Sequence, residues 1–241
     1  MTGGTLTGVG VGPGDPQLIT LKAISVLAEA DEVFVPVASD GRPGYAEQVV
    51  AAHLPGDRLR RLVFALGDDP AERDRSWDAA GQAVAEVLRI GAHAAFATIG
   101  DPNLYSTFTY LADTVAALAP GTRIATVPGI TAMQDLAARS GTVLAEGAQR
   151  LALLPFTAGE ERLAAALADF DTVIAYKGGR RLPRVRRLIE EAGRIDEAVF
   201  GARLGMQREQ VSGLAGTPAD AAPYLSTVIV TRPRGARGGA L

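Results

Sequence analysis

An apolar run, Ala92 to Ile99, breaks at Gly100-Asp101-Pro102 and continues as a polar string carrying Tyr105, Ser106 and Thr107. The run reads as a buried strand, and a helical pattern follows to about Leu118. In open α/β sheets ligands are met where a strand ends and a helix begins. A carboxylate at such a point, Asp101, suits a cationic or hydroxyl-bearing group, or it caps the helix after it. A second candidate, Gly8-Val-Gly-Val-Gly-Pro-Gly-Asp15, accompanies the first strand. It does not fit the G-x-G-x-x-G dinucleotide fingerprint: counted from Gly8 the third glycine falls on Pro13, and counted from Gly10 it falls on Asp15. Pro13 lacks the N–H a phosphate cradle uses, and Asp15 repels phosphate. The loop therefore suits close backbone approach to something other than pyrophosphate.

Two further stretches carry chemistry. Pro128-Gly129-Ile130-Thr131-Ala132 opens a helix, with Thr131 either its cap or a ligand contact. Lys177, Arg180, Arg181, Arg184, Arg186 and Arg187 crowd one turn and the next helix. They read either as a solvated face or as a site for a substrate with several carboxylates, with Arg180 and Arg184 as its anchors. The run lacks interleaved aromatics, which argues against nucleic acid.

These residues need a frame. The pattern predicts strands at Thr5–Gly10, Glu32–Val37, Leu59–Leu66 and Ala92–Ile99. Helices are predicted at Leu21–Ala30, capped by Thr20, and at Tyr45–His53 and Ala71–Ile90. From Pro120-Gly121 onward the strands are Arg123–Val127, Leu151–Leu154, Thr172–Tyr176, Ala198–Leu204, Gln210–Leu214 and Ser226–Thr231. Helices in this half end near Ser140, Ala168 and Ala192. The alternation predicts an α/β chain of two αβα lobes, a parallel N-terminal sheet and a mixed C-terminal one. The lobes divide as 1–119 and 120–232, and 233–241 form a Gly/Arg-rich tail expected to be disordered.

Composition narrows the field. With 241 residues the chain can bury a full core. A net charge of −3 argues against a nucleic-acid coat. There is no cysteine and there are only two histidines, His53 and His93, so thiol chemistry is excluded and no protein metal site is expected. No membrane-length apolar stretch and no leader pattern are visible, and the expectation is a cytoplasmic protein. Neither histidine, nor Trp77, receives a role.

Taken in order, Gly8-Val-Gly-Val-Gly-Pro-Gly-Asp-Pro16, Thr98-Ile-Gly-Asp-Pro102, Val127-Pro-Gly-Ile-Thr-Ala132 and Val173-Ile-Ala-Tyr-Lys177 resemble the tetrapyrrole methylase family, from Gly8 to about Thr231. The string Ile99-Gly-Asp-Pro-Asn-Leu-Tyr-Ser-Thr-Phe-Thr-Tyr-Leu111 is similar to the branch acting on C20, a meso carbon of precorrin-2. Siblings usually carry a second glycine before Gly-Asp-Pro and a Phe-Gly-Arg-like continuation. The resemblance implies a homodimer and S-adenosyl-L-methionine as methyl donor, folded into a cleft between lobes, with S-adenosyl-L-homocysteine as product. It places Pro13, Gly100 and Asp101 in the cofactor pocket, with Tyr105, Ser106 and Thr107 beside it. Thr131, Ala132, Lys177 and Ala202 complete the set, and Lys177 follows Tyr176 where the subfamily often has methionine. A base must take the C20 proton, for which Tyr105 and Asp15 are the candidates. The alternatives are a cobalt-precorrin-2 or other corrin-ring methyltransferase and, from another class, a nicotinamide-dependent oxidoreductase or an RNA-binding module.

Overall fold

The computed structural model describes residues 3–38, 42–65, 69–177, 179–217, 220 and 222–233, without the side chain of Arg180. The chain divides into two compact units, Met1–Thr131 and Ala132–Leu241.

The first unit is built on a five-stranded sheet of β1 (Thr5–Gly10), β2 (Glu32–Val37), β3 (Leu59–Val63), β4 (His93–Thr98) and β5 (Arg123–Val127). The order is β3-β2-β4-β1-β5, and every pairing is parallel. Both faces are covered, and β1 and β4 are accordingly buried at every position but the first, with small residues and threonine among the apolar ones. On one face α1 (Leu21–Glu29) and α2 (Tyr45–Val50) pack through Ala23, Leu27, Val49 and Val50. On the other, α3 (Pro70–Arg89) and α4 (Phe108–Leu118) pack through Val84, Leu88, Phe108 and Leu111. Thr20 caps α1 as expected: its Oγ1 accepts from Ala23 N at 3.1 Å.

The expected division at 119/120 is displaced. β5 pairs with β1 in parallel register, Thr5 opposite Arg123, so the first unit extends to Thr131. Pro120-Gly121 is the tight turn from α4 into β5, with Gly121 at φ 90° and Thr122 N donating to Ala119 O. The tail from 234 onward lies outside the described residues.

The second unit carries β6 (Leu151–Pro155), β7 (Thr172–Tyr176), β8 (Ala198–Ala202), β9 (Gln210–Gly213) and β10 (Ser226–Val230), ordered β6-β7-β10-β8-β9. β6 and β7 are parallel, and β10 runs antiparallel to both β7 and β8. The sheet is therefore mixed, as the closely spaced late strands predict. α6 (Glu160–Asp169) and α7 (Leu182–Glu191) share one core with Val173, Phe200 and Val228. α5 (Ala132–Ser140) packs elsewhere on the sheet: a Cβ on Gly201 of β8 would fall 2.7 Å from Leu136.

Arg194 holds this layer in place. It is 7% exposed, and its guanidinium donates to the carbonyls of Leu167, Phe170 and Asp171 where α6 ends and β7 begins. Burial pulls its pKa below the ordinary value. Arg194→Met leaves four carbonyls short of a donor, that of Thr231 included, and should destabilise the protein by about 3 kcal/mol. A urea titration should show a lower midpoint at unchanged slope, and an unmoved midpoint would refute the assignment.

Candidate functional site

The strand ends of the first sheet approach one another backbone to backbone at glycines. A Cβ on Gly10 would sit 2.5 Å from Gly100 O, and one on Gly129 only 2.1 Å from the same oxygen. The segments after β1, β4 and β5 thus touch backbone to backbone. Gly100 N donates to Gly12 O at 2.7 Å and Val11 N to Thr98 O at 2.9 Å. Gly12 and Gly100 take φ of 86° and 72°, a region open to glycine and strained for other residues. Gly8 has another purpose: a Cβ there would strike the Phe108 ring at 2.5 Å. Its role is helix packing, so the glycine string is part packing and part loop closure.

Asp101 does not cap α4. Its Oδ1 accepts from Asn103 N at 2.8 Å and its Oδ2 from Gly129 N at 3.0 Å. The carboxylate therefore ties the segment after β4 to the segment after β5. Ser106 starts the helix instead, accepting from Phe108 N at 3.1 Å and hydrogen bonding Thr98 Oγ1 at 2.9 Å. Pro13 and Thr131 are buried beside these segments in the chain, and Thr107 is half-buried. Tyr105 is 41% exposed, and burial pushes its phenol upward, which works against its acting as a base at neutral pH. Asp15 spends Oδ1 on Gln17 N at 2.9 Å.

In the second unit the segments after β6, β7 and β8 leave from one edge of the sheet, where β10 enters. Among the described residues, the non-glycine positions with left-handed backbone are Tyr105, Lys177, Arg203 and Arg208, all in segments that follow β4, β7 or β8. Each such position costs about 1 kcal/mol and tends to mark a functional site. Lys177 is half-buried, and burial lowers its amine from the ordinary value. Tyr176 before it has a role that methionine could not fill. Its hydroxyl accepts from Met133 N at 2.8 Å, satisfying a donor in the first turn of α5 beside Ala132. Ala202 sends its methyl into the core under α6 and α7, so a ligand could reach only its backbone.

The arginine run is largely committed. Arg184 lies 3.6 Å from Glu160, which also takes Arg187 at 2.9 Å. Arg186 pairs with Glu190 and donates to the carbonyls of Leu214 and Ala215. Arg181 donates to Phe156 O. Arg184 also lines a cavity of about 180 Å³ with Leu154, Phe156 and Leu163. The Arg180 side chain lies outside the described residues. The residues that a search for basic clusters passes over are Arg203 and Arg208, isolated in sequence and marked only by backbone geometry.

Two α/β units, one with an all-parallel sheet whose strand ends meet at glycines and one with a mixed sheet, place the chain in the α/β class. The chain belongs to the tetrapyrrole (corrin/porphyrin) methylases, whose family pattern matches residues 5–218. It is 35% identical over 236 residues to a precorrin-2 C(20)-methyltransferase of Sinorhizobium sp, covering 94% of this chain and 95% of that one. It is 29% identical to the cobalt-precorrin-2 C(20)-methyltransferase of Salmonella typhimurium, over 95% and 97% of the two chains. The fold is shared with uroporphyrin-III C-methyl transferase from Thermus thermophilus, solved with S-adenyl homocysteine (TM-score 0.65, 22% identity, covering 95% of this chain and 97% of that one). Among the described residues no helix is long and apolar enough to cross a membrane, and no group of three His, Asp or Glu could hold a metal ion.

Proposed function

We propose that this methyltransferase moves a methyl group from S-adenosyl-L-methionine to C20 of precorrin-2, giving precorrin-3A for cobalamin biosynthesis. The observation that carries the reading is a division of charge. The segments Gly8–Leu18, Thr98–Thr107 and Val127–Thr131 contain Asp15 and Asp101 but no lysine or arginine. The strand-end segments of the second sheet carry Lys177, Arg181, Arg203 and Arg208, and the acids beside them, Glu160 and Glu209, are paired with Arg187 and Arg139. One set suits a cationic donor, the other an acceptor with many carboxylates.

The first set also passes a test of fit. A Cβ on Gly100 would meet no atom within 4 Å, so this backbone faces open space where a ligand can lie against it. The residues that would hold the donor are Pro13, Gly100, Asp101, Thr131 and Ala132, with Tyr105, Ser106, Thr107, Lys177 and Ala202 as further candidates. The donor, when bound, supplies an electrophilic sulfonium methyl. The chain's part is to hold a nucleophilic ring carbon in line with it, because fixed geometry supplies most of the acceleration in such a transfer. The Asp101 clamp and the glycine contacts fix the donor-side segments. Tyr105, its phenol raised by burial, keeps its proton at neutral pH and serves as a hydrogen-bond donor. The reading includes a cytoplasmic homodimer, and identity does not separate the two ring states, since relatives named for precorrin-2 and for cobalt-precorrin-2 are each 35% identical.

Incubation with precorrin-2 and methyl-labelled donor should place the label on C20 alone, read by NMR. Label on another carbon, or none transferred, would overturn the proposal. Cobalt-precorrin-2 in parallel separates the two ring states.

A further inference from the structure

We infer that Arg203, assisted by Arg208 at the other end of the same loop, binds the carboxylate arms of the tetrapyrrole acceptor; this rests on the methyl-transfer reading above. Arg203 is half-buried directly after β8, at φ 52°. Its backbone is pinned on both sides, Arg203 N donating to Leu225 O and Met206 N to Arg203 O, each at 3.0 Å. Among the described residues its guanidinium has no ion pair, hydrogen bond or ring contact. The other described arginines that are not exposed are all engaged. Arg58 donates to the Ala28 and Ala30 carbonyls, Arg73 stacks over Trp77, Arg186 holds Glu190, and Arg194 holds the end of α6. A half-buried side chain pinned at its backbone and uncommitted to any protein partner can give its donors to a ligand with little loss of freedom. The guanidinium fork matches a carboxylate through two parallel hydrogen bonds.

The neighbouring acids are arranged so as not to quench it. Glu209, at the end of the loop, accepts from Gly205 N at 2.5 Å and pairs with Arg139 at 3.0 Å. Arg139 is itself fixed to Asp135 at 2.8 Å. Arg139 thus draws the local carboxylates to itself. Arg203 and the exposed Arg208, left-handed at φ 62°, are left for an external anion. A ring substrate with acetate and propionate arms supplies that chemistry.

The test is a fluorescence titration of the whole protein with uroporphyrin, which bears acetate and propionate arms, and with its methyl ester, both with S-adenosyl-L-homocysteine present. Arg203→Met should weaken uroporphyrin binding by about 30-fold, the loss expected for one bidentate charged contact. Binding of S-adenosyl-L-homocysteine should stay within about twofold. Arg203→Lys should recover only part of the loss, because an ammonium cannot reproduce the fork. Arg203→Gly relieves the left-handed backbone and should fold at least as well as wild type, while losing uroporphyrin as Arg203→Met does. The methyl ester should bind weakly and be indifferent to every substitution. Unchanged uroporphyrin affinity in Arg203→Met and Arg203→Gly, or equal losses for acid and ester, would overturn the inference. Label at C20 with an unaltered precorrin-2 KM in Arg203→Met would sink it and leave the methyl-transfer reading standing. Arginine-dependent uroporphyrin binding without any methyl transfer would do the reverse.

Discussion

Gly129→Ala is expected to cut donor affinity by more than about 100-fold and to destabilise the protein by about 3 kcal/mol, the upper end for forcing a methyl into a closed space. The new Cβ would lie 2.1 Å from Gly100 O and 2.8 Å from both Cα and C of Gly10. None of these atoms belongs to a flexible side chain. Gly10 is locked between β4 and β5, opposite Thr98 in the parallel register. Gly100 is bonded to Gly12 O through its own N–H, and Gly129 N to Asp101 Oδ2. The segment after β5 must therefore move away, losing its bond to Asp101 and opening the donor side. Gly100→Ala is the control for stability alone: its Cβ meets no protein atom within 4 Å and its φ of 72° costs about 1 kcal/mol, while the methyl enters the space assigned to the donor and should weaken donor binding by itself. Calorimetric titration with S-adenosyl-L-homocysteine and urea unfolding read both quantities. Wild-type affinity in a folded Gly129→Ala protein would show that the close approach of these strand ends does not shape the donor site.

The periodicity located these elements well because most of them obey local rules. Thr20 caps α1 through its own hydroxyl, and the apolar run of β4 is the mark of a strand covered on both faces. What local rules do not contain is the partner. Arg123–Val127 reads as a strand in isolation, yet only its pairing with β1 assigns it to the first sheet. The same holds for Gly8 and Gly10, alike in sequence: one makes room for a phenyl ring and the other for two passing backbones. The basic run misleads for a related reason. Residues four apart on a helix face one another, so Arg186 and Arg187 meet Glu190 and Glu191 on α7 itself. Arg203 has no acidic residue three or four positions away, and its isolation in sequence is what hid it. The motif Val173-Ile-Ala-Tyr-Lys177 was visible, but the bond from Met133 N to the Tyr176 hydroxyl joins residues far apart in the chain.

Asp101→Ala should lower stability by about 2 kcal/mol, below the sum of two fully buried charge-assisted bonds because the site is half-exposed. It should also weaken donor binding by about 30-fold, as the untied segments must be ordered again at the expense of about 2 kcal/mol of affinity. The sharper question is how the carboxylate acts. Its two oxygens are already given to Asn103 N and Gly129 N, and these bonds point it along the protein rather than outward. If it serves chiefly as a tie, neutral S-adenosyl-L-homocysteine and cationic S-adenosyl-L-methionine should lose affinity in parallel, within about threefold of each other; a direct charge contact at an effective dielectric near ~20 would separate them by far more. Asp101→Asn sharpens the contrast. The amide keeps the shape but turns an NH2 toward one of the two backbone N–H groups, so a donor faces a donor and one tie fails. It should therefore resemble Asp101→Ala in both binding measurements. A substitution that spares S-adenosyl-L-homocysteine while depressing S-adenosyl-L-methionine would instead assign Asp101 to the sulfonium itself.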